Sequence, residues 1–333
     1  MSLSTKDCIA LAERYGANNY APLPVVIQRA EGIWVYDPED RRYLDFLSCY
    51  SAVSQGHCHP RIVKALQDQA SKVTLTSRAF HNEHLGPFCK DVAELCGMTR
   101  VLPMNSGAEA VETAIKIARK WGYETKGIPL DEAEIIVCDG NFHGRTTTIV
   151  SFSSDELYKK PFGPPTPGFE LIEYGSIDAL RAAIGPKTAA FLVEPIQGEA
   201  GVVVPPPGFL AAARKICDEE KVLFIADEIQ TGLGRTGKMF ACEWEDVRPD
   251  VYVLGKALSG GVYPVSAVVS DNDVLGLFVP GEHGSTFGGN PLGMAAAREA
   301  LKVIVDEKLA ERSLELGDYF KSRLEKMRGP HLV

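Results

Sequence analysis

No uninterrupted apolar run in the 333 residues approaches the roughly 18 that a membrane-spanning helix needs. The opening residues, MSLSTKDCIALAERYG, lack the apolar core of a secretory signal, and they are neither arginine-rich nor poor in acids as a transit peptide would be. Excess positive charge is also missing. With 35 Lys and Arg against 44 Asp and Glu, the formal charge is −9, which argues against a general nucleic-acid or acidic-membrane surface. The eight cysteines show no paired short spacings, so they read as reduced thiols and not as a disulfide framework. These absences point to a cytoplasmic protein, or a mitochondrial-matrix one if a leader was removed. Metal ligands are scarce as well. His57-Cys58-His59 lies between Gly56 and Pro60, which makes a tight turn, and no second cluster has suitable spacing, so no metal site is expected.

What is present is an alternation of short apolar runs with amphipathic stretches. Val101–Met104, Glu134–Cys138, Ala189–Val193, Val222–Ala226, Val251–Leu254 and Val265–Val269 have the length of buried strands. Helical patterns lie between several of them. Ala110, Ala114, Ile117, Ala118 and Trp121 fall on one face, and Phe209–Glu219 is a second helical stretch. This alternation implies an α/β fold with a mostly parallel central sheet flanked by helices. Ahead of it, Val25–Ile27, Ile33–Tyr36 and Tyr43–Phe46 suggest a small N-terminal β layer, with a turn at Asp37–Asp40. Helices are expected from Pro60 to about Lys72, from about His84 to Cys96, and from Pro291 almost to the end. We divide the chain into an N-terminal segment (1–50), a large domain (51–300) and the start of a C-terminal α+β domain (301–333).

Chemistry gathers at the strand ends. One strand ends on Asp227 and another on Gly255-Lys256, and ligands of open α/β sheets sit outside such carboxyl ends. A desolvated lysine there can act as an amine nucleophile. A nearby carboxylate can keep a ring nitrogen protonated, the partnership expected around pyridoxal phosphate. Asn105-Ser106-Gly107-Ala108 stands at a strand-to-helix junction, where free N–H groups favour an anion, although Ser106 or Asn105 could simply cap the helix. Phe142, in Asn141-Phe142-His143-Gly144-Arg145, reads either as core or as a surface to stack on a cofactor ring. Arg145 could clamp a carboxylate, and His143 reads as a surface or packing residue more readily than as a base. Glu194 and Glu199 follow the strand at Ala189–Val193, where carboxylates could be structural caps. Gly284–Pro291 offers hydroxyls and N–H groups to a second anion contact, or simple capping. Gly232-x-Gly234-x-x-Gly237 spells a dinucleotide signature, but four residues separate it from the strand end and a poor helix follows, so a mobile glycine-rich loop is expected instead.

In this order, NSGAEA, NFHGR, EPIQGEAG, ADEIQTGLGRTG, LGKALSGG and GSTFGGNP resemble the class-III, fold-type-I pyridoxal-phosphate aminotransferases. NNYAPLPVV, FLSCYSAVSQGHCHP, TLTSRAF and RPDVYVLGKALSGGVYPVSAV resemble the ornithine δ-aminotransferase branch, from about residue 13 to 320. The resemblance implies that Lys256 forms a Schiff base with pyridoxal 5′-phosphate and shuttles a proton, and that Asp227 pairs with the ring nitrogen. It gives Gln230 the ring hydroxyl, Phe142 the ring face, and Gly107 and Ala108 the phosphate. Ser285 and Thr286 would reach the phosphate of a neighbouring subunit in a homodimer. Tyr20, Tyr50 and Arg145 would hold the α-end of ornithine, with Glu199 shaping the pocket between the half-reactions with ornithine and 2-oxoglutarate. Acetylornithine or 4-aminobutyrate aminotransferases share the cofactor residues, and a pyridoxal-phosphate binder with impaired turnover is the non-enzymatic alternative. Two departures stand out. His143 occupies a position held by tryptophan in the family pattern, and the family's C-terminal domain continues past Val333, carrying an arginine that pairs with the Glu199 equivalent.

Overall fold

The computed structural model describes residues 3–327. Its centre is a seven-stranded sheet in the order β4–β10–β9–β8–β7–β5–β6. The strands are β4 (Arg100–Met104), β5 (Glu134–Cys138), β6 (Phe169–Ile172), β7 (Thr188–Val193), β8 (Leu223–Asp227), β9 (Val251–Leu254) and β10 (Ser266–Ser270). β10 runs antiparallel to both its neighbours, β4 and β9, and the other pairings are parallel. The carboxyl ends of β4, β5, β7, β8 and β9 therefore open on the same side.

Strand periodicity explains the layers. Side chains alternate across a sheet, so a strand buried on both faces reads as an uninterrupted apolar run. In β8, Phe224 and Ala226 join one core cluster while Leu223 and Ile225 join another, and β7 and β9 divide in the same way. One face packs against the Gly107–Trp121 helix through Ala110, Ala114 and Ile117. The other is covered by Leu85–Cys96, Phe209–Glu219 and Pro291–Asp306. A smaller cluster joins the Pro60–Ala70 helix to Pro291–Asp306 through Ile62, Ala296 and Ala300.

The N-terminal layer is an antiparallel sheet of β1 (Arg29–Glu31), β2 (Trp34–Tyr36) and β3 (Arg42–Leu44). Its turn is tied by buried Asp37, which accepts hydrogen bonds from the Glu39 and Arg41 amides and from the Tyr43 hydroxyl. The strand expected at Val25–Ile27 is absent, because that apolar stretch has no neighbour to pair with; the third strand begins at Arg42 and ends at Leu44. β6 had not been anticipated. It is an edge strand with Glu170 and Leu171 exposed, so it carries neither alternation nor a buried run. His57 bonds Asp45 at 2.7 Å beside a bridge to Gly32, and no group of metal-ligating side chains occurs among the described residues. No helix among them is long and apolar enough to cross a membrane. The helical end resolves into Pro291–Asp306 and Leu309–Leu324, while residues 328–333 lie outside the described residues.

The Gly107–Trp121 helix starts with a reciprocal cap: the Ser106 hydroxyl accepts from the Glu109 amide, and the Glu109 carboxylate accepts from the Ser106 amide. Ser106, not Asn105, is the cap. Ser106→Ala should lower unfolding stability by about 1 kcal/mol in urea titration, and an unchanged midpoint would show that the cap is dispensable.

Candidate active site

The loops after these five strands enclose a cavity of about 220 Å³ lined by Gly107, Ala108, Phe142, His143, Gly144, Glu194, Ile196, Glu199, Asp227, Ile229, Gln230, Thr231 and Lys256. Asp227 closes β8 and is 4% exposed. A carboxylate so buried must find donors. Its Oδ1 accepts the Ile229 amide at 3.1 Å, and its Oδ2 is 2.7 Å from His143 Nδ1. Lys256 follows β9 in the left-handed region, φ 43, and burial pushes its amine below the ordinary lysine range. A lysine of lowered pKa thus faces the same cavity as a buried, hydrogen-bonded carboxyl group.

His143 differs from the surface or packing residue expected of it. It is buried with its Nε2 unpartnered among the described residues. Burial alone would depress its pKa, but the hydrogen bond to Asp227 and that carboxylate's charge outweigh burial and hold it above the ordinary value. The signal available in the sequence was adjacency to Phe142; the partner 84 residues away could not be read from it. Glu194 is more than a structural cap, because it lines the cavity. It leaves the end of β7, accepts the Phe142 amide at 2.9 Å, and is pushed up to about 7 chiefly by burial, with the Asp227 charge adding to the shift.

The helix N-terminus supplies the opposite polarity. The cap uses the Glu109 amide, leaving the Gly107 and Ala108 N–H groups without acceptors among the described residues. Free N–H groups at the positive end of a 15-residue helix suit an anionic group. Gln230 Nε2 donates to Glu199 Oε1 at 3.1 Å, and the Gln230 amide lies in the space a Cβ at residue 198 would take.

Of the expected site residues, Gly107, Ala108, Phe142, Glu199, Asp227, Gln230 and Lys256 share the cavity. Tyr20 and Tyr50 do not line it and are 74% and 54% exposed. Arg145 is exposed beside it, with its guanidinium 5.7 Å from the Phe142 ring centre and 4.2 Å from that of Tyr158. Ser285 lies outside the cavity, its hydroxyl accepting from Asn105 Nδ2 at 2.8 Å; Thr286 is exposed. The glycine-rich loop is no mobile flap. Gly232, Leu233 and Gly234 are buried, and Gly234 and Gly237 abut Ala310 and Leu314 of the last helix.

A buried acid, a lysine with a lowered pKa and an uncapped anion cradle around one cavity fit pyridoxal phosphate. The class-III aminotransferase family pattern matches residues 15–332. The chain is a class-III aminotransferase. Similar proteins include the ornithine aminotransferase of Bacillus subtilis (strain 168), 63% identical over 326 residues, which cover 98% of this chain and 81% of that one. The ornithine aminotransferase of Halalkalibacterium halodurans is 61% identical, with coverage of 99% and 83%. Among solved structures, the ornithine aminotransferase of Toxoplasma gondii ME49 superposes with a TM-score of 0.96 at 52% identity, covering 98% of this chain and 77% of its own. An acetylornithine aminotransferase from Elizabethkingia anophelis gives 0.88 at 53% identity, with coverage of 98% and 79%. The seven-stranded sheet with helices on both faces is the fold of these aminotransferases.

The raised pKa of Glu194 has a signed consequence for the aminotransferase. Its folded-state value, about 7, lies above the ordinary carboxyl value of 4.5, so the native state binds the extra proton more tightly. The associated stability is complete below pH 4.5 and is lost as pH rises through 7. Glu194→Gln keeps an acceptor for Phe142 and removes the charge. The variant should gain ~1–3 kcal/mol over the parent at pH 8 relative to pH 5, by thermal or urea unfolding. An equal stability difference at both pH values would contradict the assignment.

Proposed function

We propose that this aminotransferase moves the δ-amino group of L-ornithine to 2-oxoglutarate, forming glutamate and glutamate 5-semialdehyde, which cyclises to pyrroline-5-carboxylate. The observation carrying this reading is the placement of Asp227 and Lys256 on one cavity beneath the free amides of Gly107 and Ala108. Relatives named as ornithine aminotransferases, at 60–63% identity, favour ornithine as the amine donor.

Bound pyridoxal phosphate supplies an electron sink for the carbanion formed when the amine-bearing carbon loses its proton. Asp227, oriented by His143 and the Ile229 amide, would hold a proton on the ring nitrogen. Phe142 would cover the ring face, Gln230 would meet the ring hydroxyl, and the Gly107 and Ala108 amides would take the phosphate. Lys256 Nζ would attach the cofactor, and its lowered pKa suits it to remove the substrate proton as a base. Arg145, stacked on Tyr158 at the edge of the Phe142 ring, takes the α-carboxylate of ornithine with help from Tyr20 and Tyr50. Glu199, held by Gln230, shapes the pocket between the two half-reactions.

The assembly we propose is a homodimer in which Ser285 and Thr286 contact the phosphate of the partner's site. Phe46, Leu47, Phe80 and Phe287 support it as large apolar side chains left exposed, a surface suited to a second copy. We place the protein in the cytoplasm, where its eight free thiols stay reduced.

Lys256→Ala should abolish the visible absorption of the lysine-linked cofactor and turnover together; retained turnover would overturn the assignment. Mixing the holoenzyme separately with ornithine, N-acetylornithine and 4-aminobutyrate should change the spectrum and transfer nitrogen fastest with ornithine. Preference for N-acetylornithine would move the protein to the acetylornithine branch, and a spectrum that none of them alters would leave only a cofactor binder. Asp227→Ala should slow proton abstraction and weaken cofactor retention, measured by primary deuterium isotope effect and by equilibrium dialysis.

A further inference from the structure

Residues Ser48, Cys49, Tyr50 and Ser51 have φ of 51, 47, 56 and 76, four consecutive non-glycine residues in the left-handed region. Such a run persists only where its surroundings over-determine it. One end is fixed by Asp45, whose Oδ1 accepts the Leu47 and Ser48 amides while its Oδ2 bonds His57. The other constraint comes from far along the chain. Arg235 Nη2 donates to Ser48 Oγ at 3.3 Å and to Ser54 Oγ at 2.9 Å, bracketing the turn. No carboxylate pairs with this guanidinium among the described residues, its Nε is buried without a partner, and burial lowers its pKa. A cation kept from water without a counter-charge is costly. The two serine hydroxyls are therefore its compensation, and the turn is its load.

Arg235 itself is anchored. Its carbonyl accepts from Ser313 Oγ at 2.7 Å, and the adjacent Gly234 abuts Ala310, so the last helix holds the loop in place. The turn in turn packs on the segment beginning at Lys256, and Gln55 Nε2 donates to the Ala257 carbonyl at 2.8 Å. Gly261, at φ 75, has no room for a Cβ because Val53 occupies the space. Tyr50 thus rides on a strained turn set between the loop after Asp227 and the loop bearing Lys256.

We propose that Arg235 is a positioning residue that clamps the left-handed turn through Ser48 and Ser54 and so sets where the Tyr50 phenol meets the substrate. The proposal rests on the reading of Tyr50 as a contact for the α-end of ornithine. Arg235→Ala should raise the ornithine KM about tenfold and leave the dissociation constant of pyridoxal phosphate within about twofold of the parent. Combined with Tyr50→Phe, it should add little to the larger single effect, because the two act on one contact. Independently of catalysis, amide exchange over residues 45–56 should accelerate in Arg235→Ala, and less in Arg235→Lys, which keeps the charge but not the fork. Ser48→Ala/Ser54→Ala, which leaves the arginine in place, provides the same readout if Arg235→Ala fails to fold. Unchanged exchange in this segment would overturn the clamp, and sizeable effects of Arg235→Ala and Tyr50→Phe on KM that multiply in full would overturn its action through Tyr50. If Tyr50→Phe leaves the ornithine KM unchanged, the role of Tyr50 fails, and faster exchange would still uphold the clamp on the turn.

Discussion

Everything in the site depends on one carboxylate held inside the protein. Asp227 stands at the end of a strand buried on both faces, where a carboxylate must find donors. It has two: the Ile229 amide on Oδ1 and His143 on Oδ2. The histidine comes from the loop after β5, the amide from the loop after β8, and the parallel sheet is what brings the two loops to the same edge. Burial then works in opposite directions on the neighbours, lowering Lys256 and raising Glu194. A single apolar setting thereby yields a carboxyl group tied to two donors, an amine that gives up its proton more readily and an acid that keeps its proton more readily.

The division of labour between layers follows. The sheet and its two apolar faces set the separation between Asp227 and Lys256, on adjacent strands β8 and β9. The Gly107–Trp121 helix, seated on one face, aims its free amides at the cavity because its own cap satisfies a different one. The less regular N-terminal residues cannot rely on a ladder for their geometry. They are held by polar ties: Asp37 in the β turn, Asp45 with His57, and Arg235 on the Tyr50 turn.

Sequence reading succeeded where a physical signal is local. Uninterrupted apolar runs located β4, β5, β7, β8, β9 and β10 to within a residue at either end, since a strand buried twice has no polar side to show. A capping Ser106 or Asn105 at the strand-to-helix junction was legible, and Ser106 is the cap. Sequence reading failed where the deciding contact is distant in sequence. Val25–Ile27 looks like a strand but finds no partner, and β6 looks like a loop because its residues are half exposed at an edge. His143 could not be seen as the partner of Asp227, and the glycines after Gln230 were misjudged as mobile because the helix beginning at Leu309, which buries them, is some 75 residues away. Gly107, Ala108, Phe142, Glu199, Asp227, Gln230 and Lys256, scattered through the motifs, line one cavity, whereas Tyr20, Tyr50, Arg145, Ser285 and Thr286 do not.

The central claim is that Lys256, and no other amine, faces the cofactor across from Asp227. Borohydride reduction of the holoenzyme followed by peptide mapping tests it directly, because reduction makes the lysine–cofactor bond permanent. The account predicts a pyridoxyl phosphate group on Lys256 alone, in a peptide containing Val251–Leu258. Modification spread over surface lysines, or a single adduct on any other lysine, would contradict it.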